Sequence, residues 1–194
     1  MFVIFAKLTI SDSNFTGNEV RQLPLYGPAM EEGIFSQAGA LFILVTMTNI
    51  SSSTFEGNIA RGGKDGPKGG AIIVHRGMST TIWQSAFRRN RALDGTRMTR
   101  GGALGLEPGS ITSLDTTAFE GNVAKGDNEC YGGGIYGEGK LTMGAGVSFH
   151  SNLVESLKPS KAVGGAIVSK GEVSSLIATN AKFVLNMVRM PLCL

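Results

Sequence analysis

Long apolar runs, cysteines and charge are all scarce in this chain, and each scarcity excludes something. No stretch of 18 or more apolar residues occurs, which excludes a membrane-spanning helix. The two cysteines, Cys130 and Cys193, are too few for a disulfide framework or a cysteine-based metal site. Only 17% of the residues are charged, with a net charge of +3, a balance that leans mildly toward acidic partners and leaves the fold open. Apolar residues make up a normal 42%, so the chain is not disordered. The opening MFVIFAKLTISDS has no basic leader, Lys7 interrupts it, and no small-residue cleavage site follows, so it does not read as a signal peptide.

Glycine, by contrast, is abundant at 28 of 194 residues, about twice the usual share. It recurs in a fixed context. A Phe-x-x-Asn unit occurs at Phe15–Asn18, Phe55–Asn58, Phe87–Asn90, Phe119–Asn122, Phe149–Asn152 and Phe183–Asn186, spaced by 40, 32, 32, 30 and 34 residues. A small-small-small-aliphatic unit occurs at Ala38–Leu41, Gly69–Ile72, Gly101–Leu104, Gly132–Ile135 and Gly164–Ile167. From this unit to the next Phe the distance is nearly constant, 17 to 19 residues, whereas from Asn to the unit it runs from 10 to 20. Constant segments are stacked structure and variable ones are loops.

Aligned on Phe, the chain shows columns. Five places before it stand Ile10, Ile50, Ile82, Leu114, Gly144 and Ala178, and two places before it Ser13, Ser53, Ser85, Thr117, Val147 and Ala181. No 3.6-residue period runs through these segments. They are short, rich in β-branched residues and punctuated by Gly, Ser and Asn, the pattern of short strands and turns. About thirty residues of such strands cannot bury their apolar side alone but can on equivalent neighbours, in parallel and about 4.8 Å apart. The expected fold is therefore all-β, a parallel β-helix of the pectin-lyase-like kind with about five coils of 30–40 residues. Phe stacks on Phe inside. Asn stacks on Asn at a corner with left-handed backbone angles. The glycines turn the chain into the next strand, and the charged stretches loop outside the stack. Residues 1–194 form one array. Because MFVIFAKLTISDSNFTGN aligns with LFILVTMTNISSSTFEGN, the array is expected to start and end inside a coil, as a fragment of a longer repeat protein.

Alternating FEGN…GGAI, FRRN…GGAL, FEGN…GGGI and FHSN…GGAI resembles the repeat of chlamydial-type polymorphic outer membrane proteins. The resemblance covers nearly the whole chain. It implies a right-handed β-helix at a cell surface or outer membrane, serving in adhesion or as a structural passenger, with a cell-surface glycan or receptor protein as partner.

Polysaccharide lyases and hydrolases also use this fold, and a fragment of such a carbohydrate-active enzyme is the alternative reading. That chemistry needs carboxylates at equal positions in adjacent coils, for Ca²⁺ or for acid–base work. No such column is found, so no catalytic, cofactor or metal residue is assigned. The place after Phe reads Thr16, Glu56, Arg88, Glu120, His150 and Val184, an outer-face charge ladder. His75 and His150 fall in different columns, and the sequons at Asn14 and Asn49 matter only in a eukaryotic source. The stretch from Phe87 to Arg100 carries Arg88, Arg89, Arg91, Arg97 and Arg100 against Asp94. Arg91, Arg97 and Arg100 are the candidate polyanion contact, beside Lys64, Lys68 and Lys125 of neighbouring coils. No aromatic column interleaves with them, which argues against nucleic acid. Cys130 and Cys193 sit at like phase two coils apart, about 9–10 Å, beyond disulfide reach, so both are expected as free thiols.

Overall fold

A computed structural model describes residues 7–21, 38–44, 47–63, 66–159, 161–170 and 175–191. Among them there is no helix, and all named strand pairs are parallel. One central coil shows the path: strands Ser79–Trp83, Ala86–Arg88, Arg91–Gly95, Met98–Arg100 and Leu104–Leu106 follow one another, each in a different sheet. We label these sheets A, B, C, E and D in that order. Sheets A, B and C are six strands deep, D is five and E three. The molecule is a parallel β-helix, as the repeat predicts.

Register is set by the columns. Phe87 pairs with Phe55 on one side and Phe119 on the other. The six rings stack with centroids 4.7 to 5.0 Å apart and planes within 6°. The four inner rings, from Phe55 to Phe149, are fully buried, and the main core gathers around them from the inward residues of sheets A, B and D. Phe15 and Phe183 end the stack and are only partly covered.

The Asn column forms an amide ladder. Each Asn donates its backbone N–H and its Nδ2 to Oδ1 of the Asn in the next coil, at 2.8 to 3.1 Å from Asn18 through Asn186. Each Nδ2 after the first also donates to the carbonyl of the Phe one coil back, at 2.9 to 3.0 Å. A buried amide such as Asn90 thus makes four side-chain hydrogen bonds, the full complement of its two donors and two lone pairs.

The left-handed corner expected at Asn lies one residue earlier. Gly17, Gly57, Arg89, Gly121, Ser151 and Leu185 have φ between 53° and 64°. A second left-handed corner lies three residues before Phe, at Asp12, Ser52, Gln84, Thr116, Gly146 and Asn180. Asn keeps an ordinary conformation because its backbone N–H belongs to the ladder. A second expectation is also corrected. Met143, not Gly144, pairs with Leu114 and Ala178 and fills the apolar column five places before Phe. The coil carries one extra residue between Met143 and Phe149, and Met143 is the residue that reaches the core.

The glycine unit divides its work. Its first place is a left-handed corner at Gly69, Gly101, Gly132 and Gly164, with φ of 62° to 68°. Its second place, Gly39, Gly70, Gly102, Gly133 and Gly165, has no room for a side chain. A Cβ on Gly102 would fall 2.0 Å from the Gly133 carbonyl oxygen and 2.6 Å from the Val123 nitrogen. The chain here presses against the start of the sheet C strand, which is why this place is glycine in all five copies.

The segments between Asn and the glycines are not simply loops outside the stack. In three coils they carry sheet E: Met98–Arg100, Glu129–Tyr131 and Ala162–Val163 pair in register, and Lys68 adds a bridge to Arg100. Behind it Ala124, Cys130, Val154 and Ala162 form a small second core.

Candidate interaction surface

The side of the stack made by sheets C and E carries the segments between Asn and the glycine unit, the part of the repeat that varies in length. On the outer face of sheet C the register places Arg21, Arg61, Leu93, Lys125, Glu155 and Arg189 in one column. Its charges are largely matched. Arg61 bridges Glu19 and Asp94, the Asp94 hydrogen bond holding its guanidinium above the usual range. The Arg21 hydrogen bond in turn holds the Glu19 carboxyl below the usual carboxylate range. Lys125 lies 2.9 Å from Glu155, and Lys158 lies 3.4 Å from Asp127.

Sheet E projects beside this face. Arg97, Met98, Asn128 and Glu129 line a depression of about 290 Å³ at its edge. The Glu129 N–H donates to the Arg97 carbonyl at 3.1 Å, and Asn128 Nδ2 donates to the Thr96 carbonyl, so the two turns are tied across coils. Where sheet E meets sheet D, Tyr131 and Tyr136 lie 5.8 Å apart, with Arg100 over the Tyr136 ring and Lys161 and Lys170 over Tyr131. Both hydroxyls donate to carboxylates at 2.7 Å, Tyr131 to Glu129 and Tyr136 to Glu138. Burial first, and then that bond to Glu129, push the Tyr131 phenol up to about 12; burial and Glu138 raise Tyr136 likewise. Burial also pushes the Cys130 thiol up to about 11.

The structure separates the three predicted arginines. Arg91 and Arg97 are exposed. Arg100 is only 7% exposed, packed over Tyr136 within the corner between sheets D and E, so it is no part of an open contact surface. Lys68, expected beside it, pairs with Glu107 at 3.2 Å. Lys64 and Cys193 lie outside the described residues. In the outer ladder Arg88 reaches Glu120 at 3.1 Å as expected, but Glu56 is taken by Arg89 rather than Arg88. His75 lies 3.4 Å from Glu107, and His150 contacts Ser151. Among the described residues no group of three or more His, Cys, Asp or Glu is placed to hold a metal ion.

The tyrosine–arginine corner escaped the sequence reading. Its signal lies one place before the glycine unit, where Lys68, Arg100, Tyr131 and Val163 align. These residues differ too much in type to stand out as a column, yet equal phase stacks them. In comparisons with known proteins, no family model matches the chain, and no curated sequence and no solved structure matches it.

Proposed function

We propose that this chain is a non-catalytic repeat module of a cell surface, an adhesive or structural passenger that meets an anionic partner through the side formed by sheets C and E. One observation carries the reading. The recurring residues are consumed in contacts between coils, while the segments that vary in length from coil to coil, between Asn and the glycine unit, lie on that side. The repeat's resemblance to polymorphic outer membrane proteins supports the surface location and the adhesive role.

The proposed contact takes in Arg97, which lines the depression, and Arg91, exposed at the start of the sheet C strand, with Arg100 packed in the corner between sheets D and E. An anionic cell-surface glycan or an acidic receptor segment suits exposed guanidinium groups, which grip carboxylate or sulfate in pairs of hydrogen bonds. The test is binding to a sulfated glycan array and to host cells, at low and high salt. Arg91→Ala/Arg97→Ala is expected to lose most of the binding while keeping its β-sheet circular dichroism, and added salt is expected to weaken the wild type. Unchanged adhesion in that variant would overturn the basic contact. Cleavage of a uronic-acid polysaccharide by the chain alone would overturn the non-enzymatic reading.

A further inference from the structure

Sheet A differs from sheets B and C on its outer side. Sheet B carries Glu56, Arg88 and Glu120 there, and sheet C carries Arg61, Lys125 and Glu155. The outward column along the middle of sheet A reads Asn49, Thr81, Ser113 and Thr142 instead, in register over four coils. Larger apolar side chains stand around this column. Met47 and Ile111 open their strands, 50% and 49% exposed, with Ser79 between them. Trp83 closes the strand between them and is 45% exposed, with Ser51 and Asp115 as its short column neighbours. Its backbone is held in place: the Trp83 carbonyl accepts from the Ser52 N–H at 3.2 Å and from the Ser85 hydroxyl at 2.9 Å. The nearest charges in register are Lys7 beside Met47, Lys140 beside Ile111 and Asp115 beside Trp83, all at the margin.

We infer that this patch binds an uncharged, extended polysaccharide, at a site separate from the anionic contact on sheets C and E. Charge selects the occupant first. The floor of the patch offers no ion pair to an acidic or basic partner, while its hydroxyls and amide both donate and accept, as the hydroxyls on the edge of a sugar ring do. A pyranose also has an apolar C–H face, which stacks on an exposed indole. Trp is among the residues that dominate recognition surfaces, because it joins a large apolar body to a polar N–H. Size argues against a folded partner. Four strands about 4.8 Å apart and five residues of about 3.3 Å cover about 300 Å², against the roughly 800 Å² that each side of a stable protein complex buries. Shape narrows the glycan. Phe rings of successive coils tilt by only 4° to 6°, so the coils stack almost without twist and the patch is flat. A straight, ribbon-like chain of β-linked sugars lies along such a surface, whereas a coiled one touches it only locally.

Trp83 is the only tryptophan of the chain, so its fluorescence reports on this patch alone. Titration of the whole chain with cellohexaose, chitohexaose and laminarihexaose, followed by fluorescence and by calorimetry, tests the inference. At least one of these sugars is expected to give a saturable fluorescence change and heat, at an affinity that added salt leaves unchanged. Excess dextran sulfate, the anionic probe for sheets C and E, is expected not to displace it. Trp83→Ala and Thr81→Lys, both at exposed positions, are expected to bind about tenfold or more weakly by calorimetry, with unchanged circular dichroism and urea midpoint. Binding of none of the three sugars would refute the inference. So would either variant binding at wild-type strength. Displacement by dextran sulfate would move the sugar to the basic contact, and a wild-type dimer that Trp83→Ala dissolves in sedimentation would give the patch to a second copy; each overturns the assignment.

Discussion

Replacing Asn90 by Ala tests whether the amide ladder holds the coils together. Asn90 is fully buried. Its Oδ1 accepts from the Asn58 N–H and Nδ2 at 3.0 Å, and its Nδ2 donates to the Phe55 carbonyl at 2.9 Å and to Asn122 Oδ1 at 3.0 Å. Alanine removes all four. A hydrogen bond is worth about 1 kcal/mol net, and a buried group left without a partner costs about 1–3 kcal/mol. The groups around Asn90 are not all orphaned: Asn58 Nδ2 keeps the Phe15 carbonyl, and Asn122 Oδ1 keeps the Asn90 backbone N–H. The Asn58 backbone N–H loses its acceptor. Four bonds lost and one donor orphaned together give a loss of about 3–5 kcal/mol.

The assay is a urea melt followed by circular dichroism, with two controls. Asn186→Ala removes three bonds at a half-buried terminal position where water can replace them, and it is expected to cost about 1 kcal/mol or less. Asn90→Asp keeps an acceptor but turns a donor into a second acceptor facing Asn122 Oδ1 and the Phe55 carbonyl. Burial raises the carboxyl's folded pKa, so the folded state prefers the protonated acid. The variant's stability is therefore highest below the unfolded value of about 4 and falls as pH rises above it. A cost for Asn90→Ala under 1 kcal/mol, or equal to that of Asn186→Ala, would refute the argument that the ladder is a main source of coil-to-coil cohesion.

Phe87→Ala, which deletes a ring held 5.0 and 4.8 Å from its two neighbours, is expected to cost about 3–5 kcal/mol in the same melt. Thr80→Val is expected to stabilise the protein by about 1 kcal/mol, since the Thr80 hydroxyl is buried in the core column with Thr48 and Thr112 and no partner meets its Oγ1; a lower midpoint would show that it is satisfied. Gly102→Ala is expected to abolish folding or lower the thermal midpoint by more than ten degrees, whereas Gly57→Ala, with open space around its Cβ and only an unfavourable φ of 63°, is expected to cost about 1 kcal/mol. Cys130, buried and with its thiol raised to about 11, is expected to resist a thiol reagent at pH 8 until the chain unfolds; mass spectrometry of its peptide checks this, and rapid native labelling would contradict the closed second core.

The fold was legible because a stacked repeat writes its contacts into the sequence as recurrences. Phe55, Phe87 and Phe119 recur at a fixed phase because each is the other's neighbour. Gly70, Gly102 and Gly133 recur because each lies under the next carbonyl. Where a position tolerates many residues, the recurrence vanishes even if the structure persists. The corner before Asn takes Gly, Arg, Ser or Leu at the same positive φ, so sequence alone put the corner on the invariant neighbour. Sheet E was missed for the same reason: Thr99, Cys130 and Ala162 share a buried column without sharing chemistry. A one-residue insertion likewise moved Met143 into a place that counting from Phe assigned to Gly144.

Charge is where counting along the chain misleads most, and the stack explains why. The stretch from Phe87 to Arg100 holds five arginines and one acid, and on its own it reads as a basic loop. In a β-helix each residue's nearest charges come from about thirty residues away, in the coils above and below. Arg88 answers Glu120, Arg89 answers Glu56, and Asp94 is shared out to Arg61. Exposed pairs of this kind contribute a few tenths of a kcal/mol each, but they cancel much of the field that the loop would otherwise project. Arg100 leaves the surface altogether to cover Tyr136. Arg91 and Arg97 are the exposed arginines that the proposed contact draws on, within a face whose charges are largely matched. On the proposed function, recognition would therefore depend on the shape and hydrogen-bonding groups around these side chains more than on net charge. The salt dependence of binding measures that difference directly: a steep fall with added salt would indicate a broad field, and a shallow one a small set of direct contacts.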